Sequence, residues 1–108
     1  MVKKGLFVKL TAKPGKEAEV EAFLNGGLAL VNEEPLTVTW YAVKFDESTF
    51  GIFDTFDSDE GRDAHLNGKV AAALMANAAD LLLEGPTIEK IGIVAVKSAE
   101  AKAESSVA

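Results

Sequence analysis

Along four stretches of the chain apolar side chains follow a period of two, and between them the period lengthens to three or four. In residues 4–12, KGLFVKLTA, Leu6, Val8 and Leu10 share one face while Phe7, Lys9 and Thr11 share the other, which is the alternation of a strand. Pro14-Gly15 breaks it. From Lys16 onward Val20, Phe23, Leu24, Leu28 and Val31 form an i, i+3, i+4 stripe, predicting a helix that buries that side. Glu17, Glu19 and Glu21 lie near its start, where the helix dipole favours anions. Gly26 and Gly27 fall inside the helix at a cost of about 1 kcal/mol each relative to alanine. They mark either close packing on a sheet or space for a ligand. Pro35 ends the helical region.

Residues 36–45 form a second strand, with Thr37, Thr39, Tyr41, Val43 and Phe45 on one face and Leu36, Val38, Trp40 and Ala42 on the other. Asp46-Glu47-Ser48 turns the chain as a hairpin into a third strand, 49–56, since short polar residues of this kind support tight turns. Phe50, Ile52, Asp54 and Phe56 share one of its faces. Asp57 to Glu60 supply caps and first-turn acids for a short helix. Asn67-Gly68 interrupts that helix, an Ala-rich one follows with Val70, Leu74, Ala78 and Leu81 inward, and Gly85-Pro86 stops it. Residues 87–97 read as a fourth strand.

The order is β-α-β-β-α-β with the second helix split, an α+β, ferredoxin-like arrangement around an antiparallel four-stranded sheet. Helices cover one face of such a sheet, and the other should be polar if it meets water. Here Phe7, Tyr41, Val43, Phe45, Phe53, Ile91 and Ile93 make it apolar. An identical subunit is the simplest cover, so a homodimer through the sheet face is expected. A hydrophobic content of 48% over 108 residues is generous for one small core and points the same way. Residues 1–97 form one domain, and 98–108, SAEAKAESSVA, read as a flexible tail without apolar periodicity.

A formal net charge of −6 argues against nucleic-acid or anionic-membrane partners. With no cysteine and one histidine, neither a thiolate nucleophile nor a zinc site can be assembled. No phosphate-cradling glycine loop is present. No apolar run reaches membrane-helix length and no signal peptide is recognisable, so a cytoplasmic location is the default.

The chemistry-bearing segment is FGIFDTFDSDEGRDAHLNGKVAAALM, residues 50–75. Asp54, among three large apolar neighbours on its strand face, must be paired if it is buried or else sit at a strand end in water. His65, one short helix away, is the candidate partner, and a carboxylate beside it would set its tautomer and raise its pKa. Trp40 and Tyr41 point to opposite faces, so at most one lines a given pocket; Asn67 lies at the helix break. Taken alone, each of these residues reads equally well as architecture.

That segment, together with KPGKEAEVEAFL at residues 13–24, resembles the antibiotic biosynthesis monooxygenase family of the dimeric α/β-barrel superfamily. The resemblance covers about residues 4–97 and implies a dimeric barrel holding a small aromatic or hydrophobic ligand between sheet and helices. It implies oxidation of a phenolic or quinol-type substrate by molecular oxygen, with neither metal nor flavin. His65 and Asp54 would be the catalytic pair, and Trp40, Tyr41 and Asn67 the substrate-binding residues. Asp54 stands where members of the family usually have glutamate, and Lys69-Val70 stand where a second histidine is common. The alternative is a non-catalytic dimeric barrel that binds a small hydrophobic metabolite.

Overall fold

The computed structural model describes residues 2–98, so the expected tail lies, apart from Ser98, outside the described residues. Seven elements follow in order: β1 (Lys4–Thr11), α1 (Glu17–Val31), β2 (Thr37–Lys44), β3 (Thr49–Phe56), α2 (Asp59–Leu66), α3 (Lys69–Leu81) and β4 (Thr87–Gly92). Every strand pairing is antiparallel and the sheet order is β2-β3-β1-β4. This is the ferredoxin-like arrangement read from the periodicity. The β2–β3 turn is closed by Asp46, whose carboxylate accepts from the backbone N–H of Ser48 at 3.0 Å and of Thr49 at 2.8 Å. Those bonds, the Ser48 backbone bond foremost, hold its carboxyl below the usual carboxylate range.

The core lies between one sheet face and the helices. Val8 and Leu10 of β1 and Phe50 and Ile52 of β3 pack with Val20 and Leu24 of α1 and Leu81 of α3. Along α1 the buried positions are Val20, Leu24, Gly27 and Val31. Leu28, expected in that stripe, is half-exposed. The helix turns its narrowest residue inward where the pattern pointed to leucine.

Two strand expectations and one helix end are corrected. Thr37 pairs with Phe56 and Thr39 with Thr55, so a bulge inserts Val38. A one-residue insertion reverses the facing of everything before it. Thr37 therefore shares the helix side with Trp40 instead of the Thr39 face. β4 stops at Gly92 rather than residue 97 because its partner runs out: Lys4, the first residue of β1, lies opposite Gly92. One further bond, from Ile93 N–H to the Lys3 carbonyl at 2.9 Å, ends the ladder. Beyond it Val94 is fully exposed. α3 ends at Leu81, short of Gly85-Pro86, because Leu82 turns extended and bridges Ala12.

On the side of the sheet away from the helices, Phe7, Phe53, Ile91 and Ile93 are half-buried, while Tyr41, Val43 and Phe45 are exposed. Phe7 and Phe45 meet edge to face, their centroids 6.3 Å apart. The second face is apolar, as its sequence pattern indicated.

Candidate functional site

Asp54 occupies the middle of the sheet, flanked by Leu6 on β1 and Trp40 on β2. Its side chain is completely buried. An isolated carboxylate there would be very costly, and it is met by His65. Ser58 caps α2 by accepting from the Gly61 N–H at 3.3 Å, which fixes where the helix starts. Arg62, one turn before His65, donates to the carbonyls of Gly5 at 3.2 Å and Ile91 at 3.1 Å and ties α2 to the sheet. Gly61 lets the helix come close to the α1–β2 connection, since a Cβ there would stand 3.0 Å from the Leu36 carbonyl oxygen. The result is a histidine delivered to the sheet between two acids.

His65 Nε2 lies 2.8 Å from Asp54 Oδ2 and Nδ1 lies 2.6 Å from Glu34 Oε1. The first is an ion-pair contact whose alignment falls short of a hydrogen bond, whereas the second is a hydrogen bond. Glu34 Oε1 also accepts from Thr37 Oγ1 at 2.7 Å, which the bulge at Val38 makes possible. The Phe56 ring closes one side of the imidazole at a centroid distance of 5.5 Å. An ionised carboxylate only accepts, so both ring nitrogens are best satisfied carrying hydrogen, as imidazolium. Burial is the largest single influence on His65 and opposes its charge. The two carboxylates of Asp54 and Glu34 beside the ring together outweigh it, and the pKa is raised above 6.5.

Beside this triad lies a cavity of about 280 Å³ between the helix side of the sheet and helices α1 and α3. A cavity of roughly 150 Å³ holds benzene, so this one has room for about two fused rings. Its wall is almost wholly apolar, including Leu6, Val8, Phe23, Ile52, Leu74 and Met75. His65 is the one titratable side chain on it among the described residues. Trp40 and Asn67 also line it, with the Asn67 amide donating to the Asp63 carbonyl at 2.9 Å. The Trp40 indole N–H is buried without a hydrogen-bond partner among the described residues, as are Glu34 Oε2 and Asp54 Oδ1. Asp54 is not on the wall and reaches the cavity only through His65.

The residues singled out in the sequence thus separate. His65, Trp40 and Asn67 are brought together on one cavity, Asp54 braces His65, and Tyr41 stands apart on the opposite sheet face, 55% exposed. Glu34 escaped the sequence reading. It sits in a polar turn beside Glu33, which makes an ordinary surface pair with Lys69 at 3.7 Å, and nothing local distinguishes the two. Among the described residues no group of three or more acids and histidines could hold a metal ion, because the carboxylates meet opposite edges of the ring. No described helix is long and apolar enough to cross a membrane.

A protein of unknown function from Nitrosomonas europaea is 55% identical over 91% of this chain and 95% of its own, with a TM-score of 0.88. The chain belongs to that protein's family. Two more distant structures share the fold. One from Caulobacter crescentus is 21% identical over 87% of this chain and 92% of its own, with a TM-score of 0.75. The other, from Chloroflexus aurantiacus, is 20% identical over 89% of this chain and 97% of its own, with a TM-score of 0.70. Each is described as a "putative antibiotic biosynthesis monooxygenase". The resemblance read in residues 13–24 and 50–75 therefore extends to the whole fold. No family model and no curated protein matches the chain.

Proposed function

We propose that this family member is a cofactor-independent monooxygenase that oxidises a small phenolic or quinol-type aromatic with molecular oxygen. One observation carries it: the single titratable side chain among the described residues on a largely apolar cavity is a histidine braced by two carboxylates. In its neutral form His65 takes the phenolic proton, and Asp54 and Glu34 stabilise the imidazolium that results. The phenolate passes an electron to dioxygen, and the radical pair joins as a hydroperoxide on a ring carbon. Loss of water leaves a quinone. The balance is one phenol and one dioxygen giving one quinone and one water, with one oxygen atom retained.

Trp40 and Asn67 would position the ring. Tyr41 belongs instead to the second element of the proposal, a homodimer through the apolar helix-free face. That face, with Phe45 59% exposed, supports association because a patch of this kind rarely stays in water.

The experiment is oxygen uptake with a panel of hydroquinones and naphthols in the presence of a chelator. Protein-dependent uptake, one dioxygen per quinone formed and lost in His65→Gln, is expected. Uptake that is absent throughout, or unchanged in His65→Gln, overturns the catalytic assignment. A second reading, ligand binding without turnover, is favoured by the engagement of both His65 nitrogens. It predicts that the same aromatics bind and no oxygen is consumed.

A further inference from the structure

We infer that Gly27 helps set which ring systems the cavity favours, leaving room beside Trp40 and Val70 that an alanine methyl would take from a two-ring ligand more than from a single ring. The role rests on the aromatic cavity proposed above and names the residue that decides between its ligands. Two glycines adjoin in α1, but they differ in surroundings. A Cβ on Gly26 would meet nothing within 4 Å, whereas one on Gly27 would stand 3.3 Å from Val70 Cγ2 and 3.5 Å from Trp40 Cζ2 and Cη2. Gly27, Val70 and Trp40 all line the cavity, and Gly27 and Val70 are buried.

Those distances are close but not prohibitive. An alanine at 27 needs Val70 to yield by a few tenths of an ångström, while the helix itself prefers alanine to glycine. The crowding atoms belong to side chains and not to backbone, so an alanine tightens this packing without being blocked by the main chain. What its missing methyl supplies is room between the benzo edge of Trp40 and Val70, on the wall of a cavity of about 280 Å³. A methyl group intruding there removes space that a second fused ring would fill and that a single ring would leave empty. One methylene in an apolar pocket typically changes discrimination by roughly tenfold or more.

The test is calorimetric titration of phenol and 2-naphthol into wild-type protein, Gly27→Ala, Gly26→Ala and Gly27→Ala/Val70→Ala. Gly27→Ala is expected to weaken 2-naphthol by about tenfold while changing phenol by less than about twofold. Gly26→Ala changes neither. Removing the Val70 methyl groups that crowd the new Cβ restores 2-naphthol binding in the double variant. Thermal melts identify any variant that has lost its fold, and the double variant then carries the comparison. Wild-type protein that binds both probes, with Gly27→Ala weakening them equally or not at all, overturns the role of Gly27 and leaves the aromatic cavity standing. Wild-type protein that binds neither probe overturns both.

Discussion

Thr37 Oγ1 donates to Glu34 Oε1 at 2.7 Å, and the same oxygen receives His65 Nδ1 at 2.6 Å. The bond exists because the bulge at Val38 rotates Thr37 onto the helix side of the sheet. A backbone irregularity is thereby converted into side-chain aim. Thr37→Val keeps the shape and removes the donor, and should cost about 1 kcal/mol of stability. Thr37→Ser should recover most of it. Chemical denaturation of the two variants checks this, and equal loss in both would assign the effect to packing.

The raised His65 pKa makes folding pH-dependent with a definite sign. Its folded value lies above the unfolded 6.5, so the folded state binds the proton more tightly. The contribution is fully present below the unfolded value and is lost as pH rises through the folded one. Asp54→Asn and Glu34→Gln each remove a carboxylate charge, and each should lower the His65 pKa in an NMR titration. Any pH–rate profile should rise as His65 becomes neutral, and in both variants that rise should move to lower pH. A profile that does not move with the NMR value would separate His65 from the rate.

Charge counting ranks the triad's variants. Imidazolium between two carboxylates leaves one negative charge in excess. Glu34→Gln removes that excess and retains a balanced His65–Asp54 pair, so its cost should be modest, on the order of 1–2 kcal/mol. His65→Ala instead leaves a buried carboxylate, Asp54, and a part-buried one, Glu34, facing an empty space, and breaking such a pair costs about 3–5 kcal/mol. For a domain with only about 5–15 kcal/mol in total, that change approaches unfolding. Thermal melts should therefore place His65→Ala well below Glu34→Gln. The reverse order would show that the imidazole is not charged in the folded protein.

What could be read from the sequence follows the range over which each determinant acts. The β2–β3 hairpin, the facing of Asp54 and the delivery of His65 by a capped helix are set by neighbours a few residues away, and periodicity exposes them. Glu34 is 31 residues from His65 and meets it only through tertiary packing, so no local pattern marks it. The bulge at Val38 was invisible because an uninterrupted alternation reads the same until one residue is skipped. β4 looked long since its own residues favour a strand to 97, but β1 decides where pairing ends. In α1 the apolar stripe suggested Leu28, while the cavity wall is formed by Gly27, a residue that carries no hydrophobic signal at all.

The helix-free face yields the last prediction. At micromolar concentration the protein should behave as a dimer of about 23 kDa, twice the 11.4 kDa chain. Phe45 is the informative position: it is 59% exposed and touches Phe7 edge-on, so a charge there is solvated in a lone subunit and buried in a pair. Phe45→Glu should give a folded monomer by light scattering, with helix content retained by circular dichroism. The same substitution at Ile93, which is half-buried, would mix dissociation with local unfolding and discriminates less well. Wild-type protein that scatters as an 11.4 kDa monomer would leave Tyr41, Val43 and Phe45 as a patch in search of a different partner.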